Sequence, residues 1–127
     1  MDQNFEYIKV YIRDRLNDNS KPTNSSISKN HIKKTNNQSC TYNDIRNKYQ
    51  ESFSCEQYFD STTKQEDLYD IVAKPIVTSA LLGYSGTILA YGPTSSGKTF
   101  TMRGGEEDST KGIIPRFVYT TDIVDHI

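Results

Sequence analysis

An α/β fold, with a mostly parallel central sheet flanked by helices, is what the sequence predicts, and three observations predict it. Ile8, Val10 and Ile12 alternate with Lys9, Tyr11 and Arg13, which is the period of a strand built on β-branched residues. Residues 87–91, Thr-Ile-Leu-Ala-Tyr, make a short and nearly unbroken apolar run, as a strand buried on both faces does. Between them, Leu68, Ile71, Val72, Ile76 and Ala80 recur at helical spacing on one broad face. Strand, helix and buried strand in that order give a layered α/β arrangement.

The first strand falls within residues 5–16. Residues 17–50 are rich in Asn, Ser, Lys and Thr, with isolated Ile27, Ile32 and Ile45. Such a stretch buries too little apolar surface to offset its ordering entropy, so it is expected to be a polar, flexible insertion, with at most a weak hairpin. Its Lys29, His31, Lys33 and Lys34 cluster reads as a solvated loop. Residues 53–59 alternate again and suggest a second strand, feeding a turn at residues 60–63. Thr63-x-x-Glu66 is a capping-box pattern at the start of the helix. Pro75 removes one helical donor and should bend that helix or be tolerated at a packed kink. Gly83 and Gly86 then end it as a turn.

After the apolar run the chain reads Gly92-Pro93-Thr94-Ser95-Ser96-Gly97-Lys98-Thr99, which fits G-x-x-x-x-G-K-[ST] between a predicted buried strand and a helix start. The chemistry explains each residue type. Gly92 and Gly97 permit the backbone angles that wrap a loop around a phosphate. Successive N–H groups, among them those of Thr94, Ser95 and Ser96, form an anion nest, and the following helix adds its positive end. Pro93 lacks an N–H and contributes none. Lys98 supplies a mobile cation to the β- and γ-phosphates, and the Thr99 hydroxyl is a hard oxygen donor suited to Mg²⁺. Lys98 and Thr99 are thus the candidate catalytic residues, Thr99 the candidate metal ligand, and a purine nucleoside triphosphate with Mg²⁺ the expected ligands.

Composition narrows the rest. The 127 residues are 34% hydrophobic and 24% charged, a thin supply of core, and the 15 basic and 16 acidic side chains leave a formal charge of -1. No basic surplus points to nucleic acid, the nine tyrosines are dispersed, and no apolar run approaches the roughly 20 residues that span a membrane. Cys40 and Cys55 do not have the spacing of a zinc site and read as free thiols in a reducing compartment. The acidic run Glu106, Glu107 and Asp108 lacks convergent partners and reads as a solvated loop rather than a metal site.

The residues around the loop are more specific than the loop. Gly83-Tyr84-Ser85-Gly86-Thr87-Ile88-Leu89-Ala90-Tyr91-Gly92, followed by Lys98-Thr99-Phe100-Thr101-Met102-Arg103-Gly104, closely resembles the kinesin motor domain. Three further segments agree in the family's order. The strand ending in Arg13-Asp14-Arg15 is similar to its first strand, residues 53–59 to its Phe-x-Phe-Asp-x-Val-Phe strand, and Gly112-Ile113-Ile114-Pro115-Arg116 to its Gly-Ile-Ile-Pro-Arg helix start. Leu16 stands where the family commonly has Pro, and Glu56 where it has Asp.

The resemblance implies a P-loop NTPase fold and an ATP-driven microtubule motor of the cytoplasm and cytoskeleton. It places Arg13 and Arg15 near the adenine, with Phe100 packed against it. Motors of this kind also use a switch I segment, Asn-x-x-Ser-Ser-Arg-Ser-His, and a switch II segment, Asp-x-x-Gly, and neither occurs in these residues. Residues 1–127 are therefore expected to be the N-terminal part of a motor domain, with the microtubule-binding surface elsewhere in the complete protein. A non-catalytic nucleotide-binding module is the alternative. A small P-loop kinase ranks lowest, because two strands and a helix precede the loop. Residues 87–91 would present an unpaired apolar edge in the isolated polypeptide, which is expected to be unstable or prone to aggregate.

Overall fold

The computed structural model describes residues 8–14, 32–44 and 48–124. The chain divides into two units, residues 1–62 and 63–127.

In the first unit, β1 (Tyr11–Arg13) pairs in parallel with β5 (Gln57–Phe59), Ile12 opposite Tyr58. Flanking bonds extend the pair: Glu56 N–H donates to the Val10 carbonyl at 2.7 Å and Asp14 N–H to the Phe59 carbonyl at 2.8 Å. The Tyr11 and Phe59 rings stack with centroids 6.1 Å apart. The predicted first strand forms, but it starts later than its pattern suggested, and Ile8 remains exposed. A parallel pair cannot be closed by a tight turn and needs a long crossover. Here the crossover carries a second sheet, β2 (Ile32–Asn36), β3 (Ser39–Asp44) and β4 (Tyr49–Ser54), antiparallel in the order β2-β3-β4.

That sheet occupies much of the described part of the segment read as a loop. Polar contacts and a local turn hold it. Asn36 Oδ1 accepts the Gln38 N–H at 2.8 Å and closes the β2–β3 turn, and the Thr35 and Thr41 hydroxyls lie 2.8 Å apart across the strands. The predicted strand over residues 53–59 is two strands. Its alternation runs through Cys55 and Glu56, where the chain leaves the antiparallel sheet and enters the parallel pair; Cys55 N–H donates to the Gln38 carbonyl at 2.9 Å. Cys40, Tyr58 and Phe59 are the buried apolar residues of this unit.

The second unit opens with α1 (Gln65–Leu68), a π-helical turn (Tyr69–Ala73) and α2 (Lys74–Leu81). The helix predicted from periodicity is present, with two corrections. Its N-cap is Lys64, which makes no side-chain capping bond, so Thr63 is not the cap residue. Pro75 does not lie inside one continuous α-helix. The π turn ends just before it, and Pro75 sits in the first turn of α2, where a missing N–H costs no helical bond. The π turn also rotates the buried face: Leu68, Tyr69, Ala73 and Val77 are buried, while Ile71 and Ala80 are exposed. Gly83, at φ 92°, ends α2 in a Schellman motif, with Gly83 N–H donating to Ala80 and Tyr84 N–H to Ser79, each at 3.0 Å.

Residues 84–92 form neither helix nor strand, which corrects the predicted buried strand at residues 87–91. Leu89 is 83% exposed and Tyr91 95%. A central strand exists only by hydrogen bonding to neighbours, and no described strand pairs with this segment. Beyond it come α3 (Lys98–Met102), a 3₁₀ turn (Asp108–Thr110) and α4 (Ile113–Val124), the last joined to the π turn by a 2.7 Å bond between the Tyr69 and Thr120 hydroxyls.

Candidate functional site

The Gly-rich loop turns in the way its sequence requires. Gly92 has φ 155°, and a Cβ there would lie 2.7 Å from the Ser96 hydroxyl oxygen. Ser95 adopts φ 66°, a left-handed angle uncommon outside glycine. Gly97, at φ 100° and ψ 15°, is the N-cap of α3. These angles fold residues 92–97 back on themselves, with Ser96 N–H donating to the Pro93 carbonyl at 3.2 Å.

The turn brings the lysine over the loop. Lys98 Nζ donates to the Gly92 carbonyl at 2.7 Å and to the Pro93 carbonyl at 2.8 Å. Pro93, which has no N–H to give, thus serves through its oxygen. Thr99 follows in the first turn of α3 and is exposed, as is Phe100. Because α3 has only five residues, its contribution to an anion site is its first-turn N–H groups rather than a long macrodipole.

Arg13 belongs to β1 in the first unit, where partial burial lowers its guanidinium pKa. Arg15 lies outside the described residues. Of the acidic run, Asp108 accepts a 2.5 Å bond from Lys111, which holds its carboxyl below the usual range and raises the lysine in turn. Among the described residues no three His, Cys, Asp or Glu side chains converge as a metal cluster. No described helix is long and apolar enough to cross a membrane.

Two side chains that support the loop escaped the sequence reading. Arg116 Nε donates to the Lys111 carbonyl at 3.0 Å and its Nη2 to the Asp108 carbonyl at 2.9 Å, tying α4 to the loop before it. Gln65, only 4% exposed, donates from Nε2 to the Phe100 carbonyl at 2.6 Å and to the Thr110 carbonyl at 3.1 Å. The available signal was a polar residue three positions before buried Leu68, on the face that packs inward.

The comparisons with known proteins agree with this geometry. A family model described as the kinesin motor domain matches residues 12–126. The chain belongs to the kinesin motor domain family. The kinesin heavy chain of Drosophila melanogaster is 55% identical over 73 residues, which is 57% of this chain and 7% of that protein. The human kinesin-1 heavy chain is 50% identical over 76 residues, 59% of this chain and 8% of that one. The solved structure of a fast kinesin, studied for its ATPase mechanism and interactions with microtubules, superposes with a TM-score of 0.74 at 35% identity, covering 93% of this chain and 33% of that chain. These matches span a small part of the full-length kinesins, and they establish the P-loop NTPase fold that the sequence predicts. The kinesin motor family is a nucleotide-binding one.

Proposed function

We propose that this chain is the ATP-binding part of a kinesin-like microtubule motor, in which ATP hydrolysis by the complete protein drives movement along microtubules. The observation that carries the reading is the loop at residues 92–99, with Gly97 in a left-handed conformation and the Lys98 ammonium lying over it. Backbone N–H groups of Thr94 to Lys98 cradle the phosphates, and Lys98 exchanges its two carbonyl acceptors for phosphate oxygens of higher charge. Thr99 holds Mg²⁺ through its hydroxyl. When bound, that ion neutralises charge on the β- and γ-phosphates. Phe100 packs against the adenine, the place that the family resemblance gives it.

The switch functions, the attack of water and the microtubule contact belong to the complete protein. It works in the cytoplasm on the microtubule cytoskeleton, with ATP and microtubules as partners and with neither nucleic acid nor membrane. Titration of the full-length protein with a fluorescent ATP analogue and Mg²⁺ tests the nucleotide half of this reading. Saturable binding that Lys98→Ala weakens about 100-fold is expected. Equal binding by the variant would remove the loop from the site.

A further inference from the structure

We infer that Gln65 is a positioning residue for the nucleotide loop, acting through the carbonyl of Phe100; the inference rests on the nucleotide reading above. The argument starts from the ends of α3. A helix of five residues has too few internal bonds to hold its own axis, because nucleation costs more than a single turn returns. Its last carbonyls also need outside donors. The Phe100 carbonyl would ordinarily accept from Gly104 N–H, but that N–H donates to the Thr99 carbonyl at 3.3 Å instead. The amide of Gln65 takes its place at 2.6 Å.

The same nitrogen reaches a second carbonyl, that of Thr110 at 3.1 Å, which also accepts the Gly105 N–H at 3.0 Å. Thr110 closes the loop after α3, where Gly104 bridges to Lys111 and Gly112 N–H donates to the Arg103 carbonyl at 3.0 Å. Both hydrogens of one buried amide therefore fix two backbone points, one in the helix that begins at Lys98 and one at the base of the following loop. Removing them takes the Gln65 donor from the Phe100 carbonyl and one of two donors from the Thr110 carbonyl, and frees α3 to rotate, which carries Lys98 and Thr99 away from the loop. Because it acts at a distance from the ligand, Gln65 controls the placement of the ammonium and hydroxyl rather than touching phosphate.

The test compares two variants of the full-length protein. Gln65→Met keeps the side-chain length and removes both donors. Tyr69→Phe removes another tie of the same unit, the hydroxyl bond to Thr120, without contact to α3. Affinity for a fluorescent ATP analogue with Mg²⁺ and thermal stability are measured on both. Gln65→Met is expected to weaken binding about tenfold, and Tyr69→Phe to leave it within about twofold at a comparable loss of stability. Gln65→Asn, whose shorter amide can keep one donor, is expected to fall between wild type and Gln65→Met, and it carries the same readout if Gln65→Met does not fold. Wild-type affinity in Gln65→Met and Gln65→Asn, or equal weakening by Tyr69→Phe, would overturn the inference while leaving the nucleotide reading intact. Failure of the wild-type protein to bind would sink the nucleotide reading instead.

Discussion

In the proposed function the chemistry turns on Lys98, and its surroundings suit that role. Two neutral carbonyls hold its ammonium at 2.7 and 2.8 Å, which keeps the charge over the loop without an ion pair that a phosphate would have to break. Charge-assisted bonds to phosphate are roughly twice as strong as those to neutral acceptors, so the exchange favours an anion. Thr99 is the complementary case: Thr99→Ala should leave metal-free nucleotide affinity nearly unchanged and abolish most of the gain on adding Mg²⁺, as read by titration with and without the ion. Tyr58 offers a test in the first unit. Burial, with help from Asp14, raises its phenol to about 12. A raised phenol favours the folded state as long as the unfolded phenol stays protonated. Its contribution is therefore complete below about pH 10 and is lost as pH climbs from there to about 12. Alkaline titration by phenolate absorbance should show a late-titrating tyrosine that disappears in Tyr58→Phe.

At the scale of elements, the backbone around α3 is set by glycines whose reasons are local. Gly104 has φ 76°, and a Cβ there would overlap the Thr110 carbonyl oxygen and the Gly112 nitrogen, both backbone atoms that cannot swing aside. Gly104→Ala should cost about 2–4 kcal/mol by chemical denaturation, combining left-handed strain with overpacking. Elements with local causes were legible in the sequence. The helix over residues 65–81 followed from its apolar period, the end of α2 from Gly83, and the turn of residues 92–97 from its glycines. The π turn was not legible, because Pro75 announces only a missing donor and not the change of helix type that precedes it. The antiparallel sheet was hidden because polar cross-strand pairs and an Asn36 turn hold it, leaving no apolar alternation to read. Gln65 was hidden for a different reason: its acceptors lie 35 and 45 residues away in sequence.

For the whole molecule, the segment at residues 84–92 is the informative failure of the sequence pattern. Its composition is that of a buried strand, yet Leu89 and Tyr91 stand exposed, since strand formation depends on neighbours that no described residue supplies. The 127-residue polypeptide on its own should therefore melt without a cooperative transition and aggregate, and replacing Leu89 by Lys should raise its solubility; scanning calorimetry and light scattering check both. A sharp, reversible transition of the isolated polypeptide would show that the exposed segment is tolerated. ATP turnover by the full-length protein with and without microtubules tests the proposed motor function most directly. Turnover stimulated at least about tenfold by microtubules and lost in Lys98→Ala is the predicted result. Tight Mg·ATP binding with no turnover under either condition would contradict it and leave a nucleotide-binding module in place of a motor.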